Sequence, residues 1–341
     1  MKRVKFCLGI VLSLLLAACD QSTTFEEKDV VRLYTSVPLS AMKEIKRVFE
    51  KAHPSVSLSI HRAGTSKLMK QLDQEAQAGE MAADVIWVAD FSNAEYLKRK
   101  GLLQPYQSEQ LKGVFPLFKD PEHYYVGSRL LNMVIVYNSN AVSKLPRSYR
   151  DLLAPQWQGR VGLVNPATSG SSLYTIGTLL QHPQYGEKYV HQLLNNHAVL
   201  VAKNNKLVEK VASGELCMGI AIDFVARNFR TENPQLSISY IYPRNGTVVV
   251  PSPIAITRDA KNVKAAQKLV DWVISKEGQT MLSKTLGMVS VRSDVPSPRG
   301  MVSLRDLTVV RSNPQQLAEH RNNIKQELNE FSQSATARSC N

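Results

Sequence analysis

The sequence predicts an α/β protein of two lobes, each a mainly parallel sheet flanked by helices, with hinge strands joining them. Short apolar runs alternate with helical patterns from Val30 onward, which is the signature of a parallel sheet built from βαβ units. The chain has 341 residues, more than one hydrophobic core usually serves. An extended run interrupted by two prolines, Gly246-Thr-Val-Val-Val-Pro-Ser-Pro-Ile-Ala-Ile256, suits a strand that returns the chain from one lobe to the other, because proline is confined to edge or irregular ladder positions.

At the N-terminus, Lys2, Arg3 and Lys5 precede a mostly apolar run from Phe6 to Ala18. This pattern fits a signal peptide over residues 1–18. The run is too short for a spanning helix, which needs about 20 apolar residues. It stops at Leu16-Ala-Ala-Cys19, followed at once by polar Asp20, Gln21, Ser22 and Thr23. Residues 19–29 are expected to form a tether. Cleavage would remove three positive charges, so the formal net charge falls from +13 to +10 (13 minus 3). That balance favours anionic ligands or lipid headgroups. No long run of like charge marks a nucleic-acid arm, and no nucleic-acid partner is expected.

Beyond Cys19 the exported chain holds Cys217 and Cys340. Cys217 opens the apolar stretch Cys217-Met-Gly-Ile-Ala-Ile222 and is expected to be a buried small hydrophobe rather than half of a disulfide. A bridge to Cys340 remains compatible with an oxidising compartment. No Cys or His cluster points to a metal or another cofactor.

The first lobe is expected over 30–130 and 248–288. Its first strand, Val30 to Ser36, leads into a helix with Met42, Ile45, Val48, Phe49 and Ala52 on one face, ended by Pro54. A second strand, Val56 to His61, passes through Arg62-Ala-Gly-Thr-Ser66 into a helix carrying Leu68, Met69, Leu72 and Ala76. The third, Asp84 to Ala89, is apolar on both faces, as a central parallel strand should be. Ser92 and Glu95 have capping-box spacing for the helix that stops at Gly101.

The second lobe is expected over 131–247 and 289–341, with a C-terminal tail. Asn132 to Tyr137 reads as a strand, and Arg160 to Val164 begins a second α/β set with the turn Asn165-Pro-Ala-Thr-Ser-Gly-Ser-Ser172. Cys217 to Ile222 and Ile238 to Tyr242 add strands. The helix from Val263 to Ser275 turns Ala266, Leu269, Val270 and Val273 inward. From Leu304 the tail is polar and helix-permissive.

In such sheets ligands collect at the carboxyl ends of the strands. Ser36 follows the first strand, Arg62, Thr65 and Ser66 the second, and Thr168, Ser169, Gly170 and Ser171 lie in the other lobe. Hydroxyls and free N–H groups at helix starts suit an anion, and Arg62 can add a charge-assisted contact. Serine and threonine are also ordinary N-caps, so each turn alone fits both roles. Asp90 and Asp223 end strands and can accept hydrogen bonds from a ligand or cap the helices that follow. No GxSxG elbow, phosphate loop or His-Glu-x-x-His helix occurs, so no catalytic role is expected.

Arg62-Ala-Gly-Thr, Ala83-Asp-Val-Ile-Trp87, Gly101-Leu-Leu-Gln-Pro-Tyr106, Asn165-Pro-Ala-Thr-Ser-Gly170, Thr247-Val-Val-Val-Pro251 and Lys276-Glu-Gly-Gln279 together resemble the periplasmic solute-binding proteins of ABC importers. The resemblance runs from about Val31 to Val295 and falls in the branch with ferric-ion, phosphonate and sugar-phosphate binders. It implies the type II periplasmic binding protein fold, closing over a small ligand as a monomer and presenting it to an ABC permease. Leu16-Ala-Ala-Cys19 resembles the bacterial lipobox, which implies lipid on Cys19, and Asp20 implies retention on the periplasmic face of the inner membrane. Ferric-ion binders of the branch use adjacent tyrosines where this chain has Asp223-Phe-Val225; the phenyl and isopropyl groups of Phe224 and Val225 cannot ligate iron, and Asp90 and Asp223 alone are a thin set of oxygen ligands. The expected ligand is therefore a small phosphorylated organic anion. Ferric ion is one alternative; another is a periplasmic sensor feeding a two-component kinase. Cys19→Ser is expected to move the protein from the membrane to the soluble fraction while leaving solute affinity unchanged; a variant that still sediments with membranes contradicts the anchor.

Overall fold

The structure is a computed structural model describing residues 28–332, with side-chain surroundings defined to residue 326. The signal peptide, Cys19 with its expected lipid, Asp20 and Cys340 lie outside the described residues. In chain order the first lobe opens with β1 (Asp29–Thr35), α1 (Leu39–Ala52), β2 (Val56–Arg62), α2 (Thr65–Gln77), β3 (Val85–Trp87), α3 (Phe91–Arg99) and β4 (Leu103–Gln104). The long β5 (Val126–Asn138) crosses over. Next come β6 (Val161–Val164), α4 (Gly170–Gln181), α5 (Gly186–Asn195), β7 (Val199–Val201), α6 (Asn204–Ala212), β8 (Met218–Ile222), α7 (Asp223–Glu232) and β9 (Ile238–Ile241). β10 (Thr247–Thr257) crosses back, followed by α8 (Val263–Ile274), α9 (Lys276–Leu286), β11 (Val309–Val310) and α10 (Pro314–Ser332).

One continuous sheet runs in the order β2-β1-β3-β10-β5-β8-β6-β7. In the first lobe β1 pairs in parallel with β2 and β3; in the second, β6 pairs in parallel with β7 and β8. Between them β5 and β10 pair antiparallel from Val249↔Asn132 to Ile254↔Val126. Both strands are buried along their whole length, because each is covered by a lobe at either end. The register shifts between Ser252 and Pro253, where prolines at 251 and 253 cannot donate to the ladder. Gln279 braces this crossing. Its amide donates to the Ser128 carbonyl at 2.5 Å and accepts from Ser290 Oγ at 2.7 Å.

The structure corrects several expectations. β5 begins at Val126, six residues before Asn132, because Gly127, Ser128 and Arg129 interrupt the apolar pattern and yet pair with β10. Ser92 and Glu95 form no capping box. α3 starts two residues earlier than that pair requires, and the Asp90 carboxylate accepts from Asn93 N at 3.3 Å and Ser92 Oγ at 2.5 Å. Glu95 instead accepts from the Tyr125 hydroxyl and from Gln315 Nε2. Cys217 is buried as expected, but it is disulfide-bonded, with its partner outside the described residues.

The tail docks firmly. β11 adds in parallel to the start of β10 through Thr247↔Val309 and Val248↔Val310. α10 then lies across α3 of the first lobe and α4 of the second. Gly177 permits this approach, since a Cβ there would stand 2.4 Å from Leu317 Cδ2. Glu319 pairs with Arg99 at 2.7 Å, and Ser312 donates to the Tyr174 hydroxyl at 2.6 Å. Among the described residues no helix is long and apolar enough to cross a membrane.

Candidate functional site

The carboxyl ends of β1, β2 and β3 bring Ser36, Arg62 to Ser66 and Asp90 to one side of the first lobe. Opposite stands the start of α4. The two lobes touch here: an ideal Cβ at Gly170 would lie 2.4 Å from Asp90 Oδ2 and 2.9 Å from Thr65 Cγ2. A Cβ at Gly64 would meet the Thr168 carbonyl at 3.4 Å. The missing side chain of Gly170 lets the seam close this far, whereas a Cβ at Gly64 would make an ordinary contact.

Around that seam the expected residues have different fates. Ser169 caps α4, its hydroxyl accepting from Ser172 N at 3.3 Å and lying 3.1 Å from Ser171 Oγ. Thr168 Oγ1 donates to the carbonyls of Asn165 and Ala202, which tie the turn to the strand ends beside it. Gly64, with extended backbone, precedes α2, so Thr65 and Ser66 occupy its first turn. Ser36 Oγ is buried without a partner among the described residues. Arg62 sits at the rim on the outermost strand, exposed, with Nε donating weakly to the Val37 carbonyl at 3.4 Å.

Both aspartates are fully buried and engaged. Asp90 also accepts from Asn93 Nδ2 at 2.5 Å, and burial pushes its carboxyl up. Asp223 accepts from Asn132 Nδ2 at 2.8 Å, Phe224 N at 2.7 Å and Tyr242 Oη at 3.1 Å. Burial raises Asp223 to about 7 despite these donors. The Asn132 bond links the start of α7 to the crossing strands. Among the described residues no three His, Cys, Asp or Glu side chains gather into a metal-binding group.

The largest electrostatic feature of the crossing is Arg129, a residue missing from the sequence-derived site. It is 3 % exposed on β5. Its guanidinium reaches Ser252 Oγ at 3.4 Å and Met288 Sδ at 3.8 Å, and lies 5.7 Å from the centre of the Phe224 ring. Among the described residues no carboxylate offsets it, and burial alone lowers it to about 9. At neutral pH it therefore stays a cation. Ser252 in turn donates to the Val88 carbonyl at 2.6 Å, which ties Arg129 to the end of β3. The signal was present in the sequence: a lone charge just ahead of the apolar run that begins at Leu130.

Residues 82–301 match the family of bacterial extracellular solute-binding proteins. A full-length relative, an uncharacterized protein of Haemophilus influenzae, is 25% identical over 298 residues, covering 83% of this chain and 84% of its own. The crystal structure of iron-bound HitA from Pseudomonas aeruginosa superposes with a TM-score of 0.79 at 22% identity, covering 88% of this chain and 99% of that one. The periplasmic binding protein AfuA from Actinobacillus pleuropneumoniae, with exogenous fructose-6-phosphate bound, gives 0.80 at 20% identity, covering 90% and 100%. These likenesses establish a shared two-lobed fold.

Two outcomes follow from the geometry. Gly170→Ala should leave the lobes intact, since alanine favours a helix over glycine by up to about 1 kcal/mol, yet overpack the closed seam by about 1–3 kcal/mol. Small-angle scattering should therefore report a larger radius of gyration with an undiminished melting temperature; unchanged compactness contradicts the contact. Asp223 in the unfolded chain ionises near 3.9. Between about pH 4 and 7 the folded state keeps the proton that the unfolded state has released, so stability falls as pH rises through this window. The loss is on the order of a few kcal/mol at about 1.4 kcal/mol per unit. Urea denaturation at about pH 4.5 and about pH 8 should show a smaller loss in Asp223→Asn than in the wild type; equal losses contradict the burial.

Proposed function

Because the chain belongs to the bacterial extracellular solute-binding protein family, we propose that it captures a small phosphorylated organic anion between its lobes and delivers it to an ABC permease. The single observation that carries the anionic assignment is Arg129, a buried guanidinium with no carboxylate beside it among the described residues. An isolated buried charge is strongly unfavourable. A phosphoryl or carboxylate group is the chemistry that offsets it, through paired charge-assisted hydrogen bonds.

Other candidates lie along the seam between the lobes. Ser36, Thr65 and Ser66 of the first lobe and Ser169, Gly170 and Ser171 of the second supply hydroxyls and helix-start N–H groups. Arg62 guards the rim. Asp90 and Asp223, buried and held by hydrogen bonds from Ser92, Asn93, Asn132 and Tyr242, fix the helix starts beside the cleft. A solute touching both lobes favours the closed state over the open one, and that difference in contacts is what moves the equilibrium. Lipid on Cys19 would keep the cleft beside the membrane and raise its effective concentration at the permease.

Iron is the less suitable cargo for these residues. A hard cation wants several oxygen ligands, and the two buried carboxylates of the cleft are already engaged by hydrogen bonds. An uncompensated arginine would also repel it.

Calorimetry with sugar phosphates, phosphoglycerates, 2-aminoethylphosphonate and ferric citrate tests the assignment. A phosphorylated compound should bind, and Arg129→Gln should weaken it by about 1.5–3 kcal/mol, the range for a hydrogen bond to a charged group. In the absence of solute the same variant should melt no lower than the wild type, because it removes an unpaired buried charge. Tight binding of ferric citrate with no response to any phosphorylated compound overturns the assignment.

A further inference from the structure

α10 carries a second buried guanidinium. Arg321 is 6 % exposed, and its Nε and Nη1 are buried without a hydrogen-bond partner among the described residues. One face of the group stacks on Tyr96, 4.5 Å from the ring centre, so the contact uses its π surface and leaves the N–H edge free. The carboxylates in its electrostatic reach are Asp90 and Asp73. Both are already engaged: Asp90 by Ser92 and Asn93, and Asp73 by the Tyr96 hydroxyl and Lys100 at 2.7 Å. One turn later Lys325 adds a second half-buried cation to the same surroundings.

This cluster sits at the seam. Asp90, which feels both Arg321 and Lys325, is the residue against which Gly170 and the start of α4 close. α10 packs on α3 and α4 together, so it spans the two lobes on the flank where that junction lies. Burial depresses Arg321 and Lys325 alike, and the attraction of Asp90 and Asp73 only partly opposes it. Arg129, by contrast, is shifted by burial alone, with no contribution from Arg321. Arg129 lies among Ser252, Met288 and Phe224 and Arg321 against Tyr96, so the two guanidiniums occupy separate surroundings.

We propose that Arg321 is a second anion-contacting residue of the cleft, reaching it from α10, and that the solute carries two separate anionic groups, one for Arg129 and one for Arg321. The inference rests on the reading of the cleft as an anion site and narrows its ligand class to compounds such as phosphorylated hydroxy acids. α10 then forms a wall of the site as well as a strap across the lobes.

Two probes differing in one acidic group separate the possibilities. Calorimetric titration of the full chain with 3-phosphoglycerate and with glycerol 3-phosphate should show the former binding at least tenfold tighter. Arg321→Gln should abolish that preference while leaving the affinity for glycerol 3-phosphate within a factor of about two (0.4 kcal/mol). Arg129→Gln should weaken both probes. Arg321→Lys, which keeps the charge and loses the fork, should retain part of the preference and serves if the glutamine variant folds poorly. Without solute, Arg321→Gln should melt no lower than the wild type, whereas a purely structural arginine would lower it. Equal binding of the two probes, or a preference surviving Arg321→Gln, overturns this inference while losses in Arg129→Gln leave the anion site standing. A wild-type chain that binds neither probe overturns the two-anion assignment outright.

Discussion

A cation held in a protein interior without a counterion loses its hydration for contacts too weak to replace it, a penalty of several kcal/mol. Arg129 stands in that position where β5 and β10 cross between the lobes. The crossing cannot exclude it, because the same residues that bury the guanidinium make the hinge: Ser252 beside the register shift, Phe224 at the start of α7, and Met288 following α9. Stability alone would select an apolar residue there. Keeping an arginine makes sense when an anion completes the site, and the fold then serves to bring two lobes together around that charge.

Closure has its own requirement, a pair of surfaces with almost no side-chain bulk. Gly170 against Asp90 and Thr65 meets it. Asp90 serves twice, as the cap of α3 and as the first-lobe surface that the start of α4 meets. Its raised proton affinity is a consequence of that burial. The Asn132 to Asp223 hydrogen bond couples the crossing strand to the second lobe in the same way, so a solute that engages Arg129 acts where both lobes converge.

Much of this was legible in the sequence because it depends on local pattern. Alternating strand and helix periodicity gave the parallel sheets, and the two prolines near 251 marked the returning strand. What escaped depends on long-range pairing. Arg129 lies where β5 appeared to have not yet begun, since Gly127 and Ser128 break the apolar alternation and only pairing with β10 makes the segment a strand. The α3 cap was assigned to Ser92 because spacing alone cannot tell which of two oxygen-bearing residues starts a helix, and Asp90 holds the position geometrically. The disulfide at Cys217 likewise joins segments distant in sequence. A polar tail gave no sign that α10 would bury Arg321 against Tyr96, because the apolar residues that dock it, Leu317 and Ile324, are few.

The proposed function requires an anion to complete the charge of Arg129 between closed lobes. The most direct measurement is a crystal structure of the chain bound to the tightest phosphorylated compound identified in solution. Phosphoryl oxygens should lie within hydrogen-bonding distance of the Arg129 guanidinium, with further contacts from the Ser169 to Ser171 turn. A solute held by one lobe only, with Arg129 still lacking an anionic partner, would contradict it.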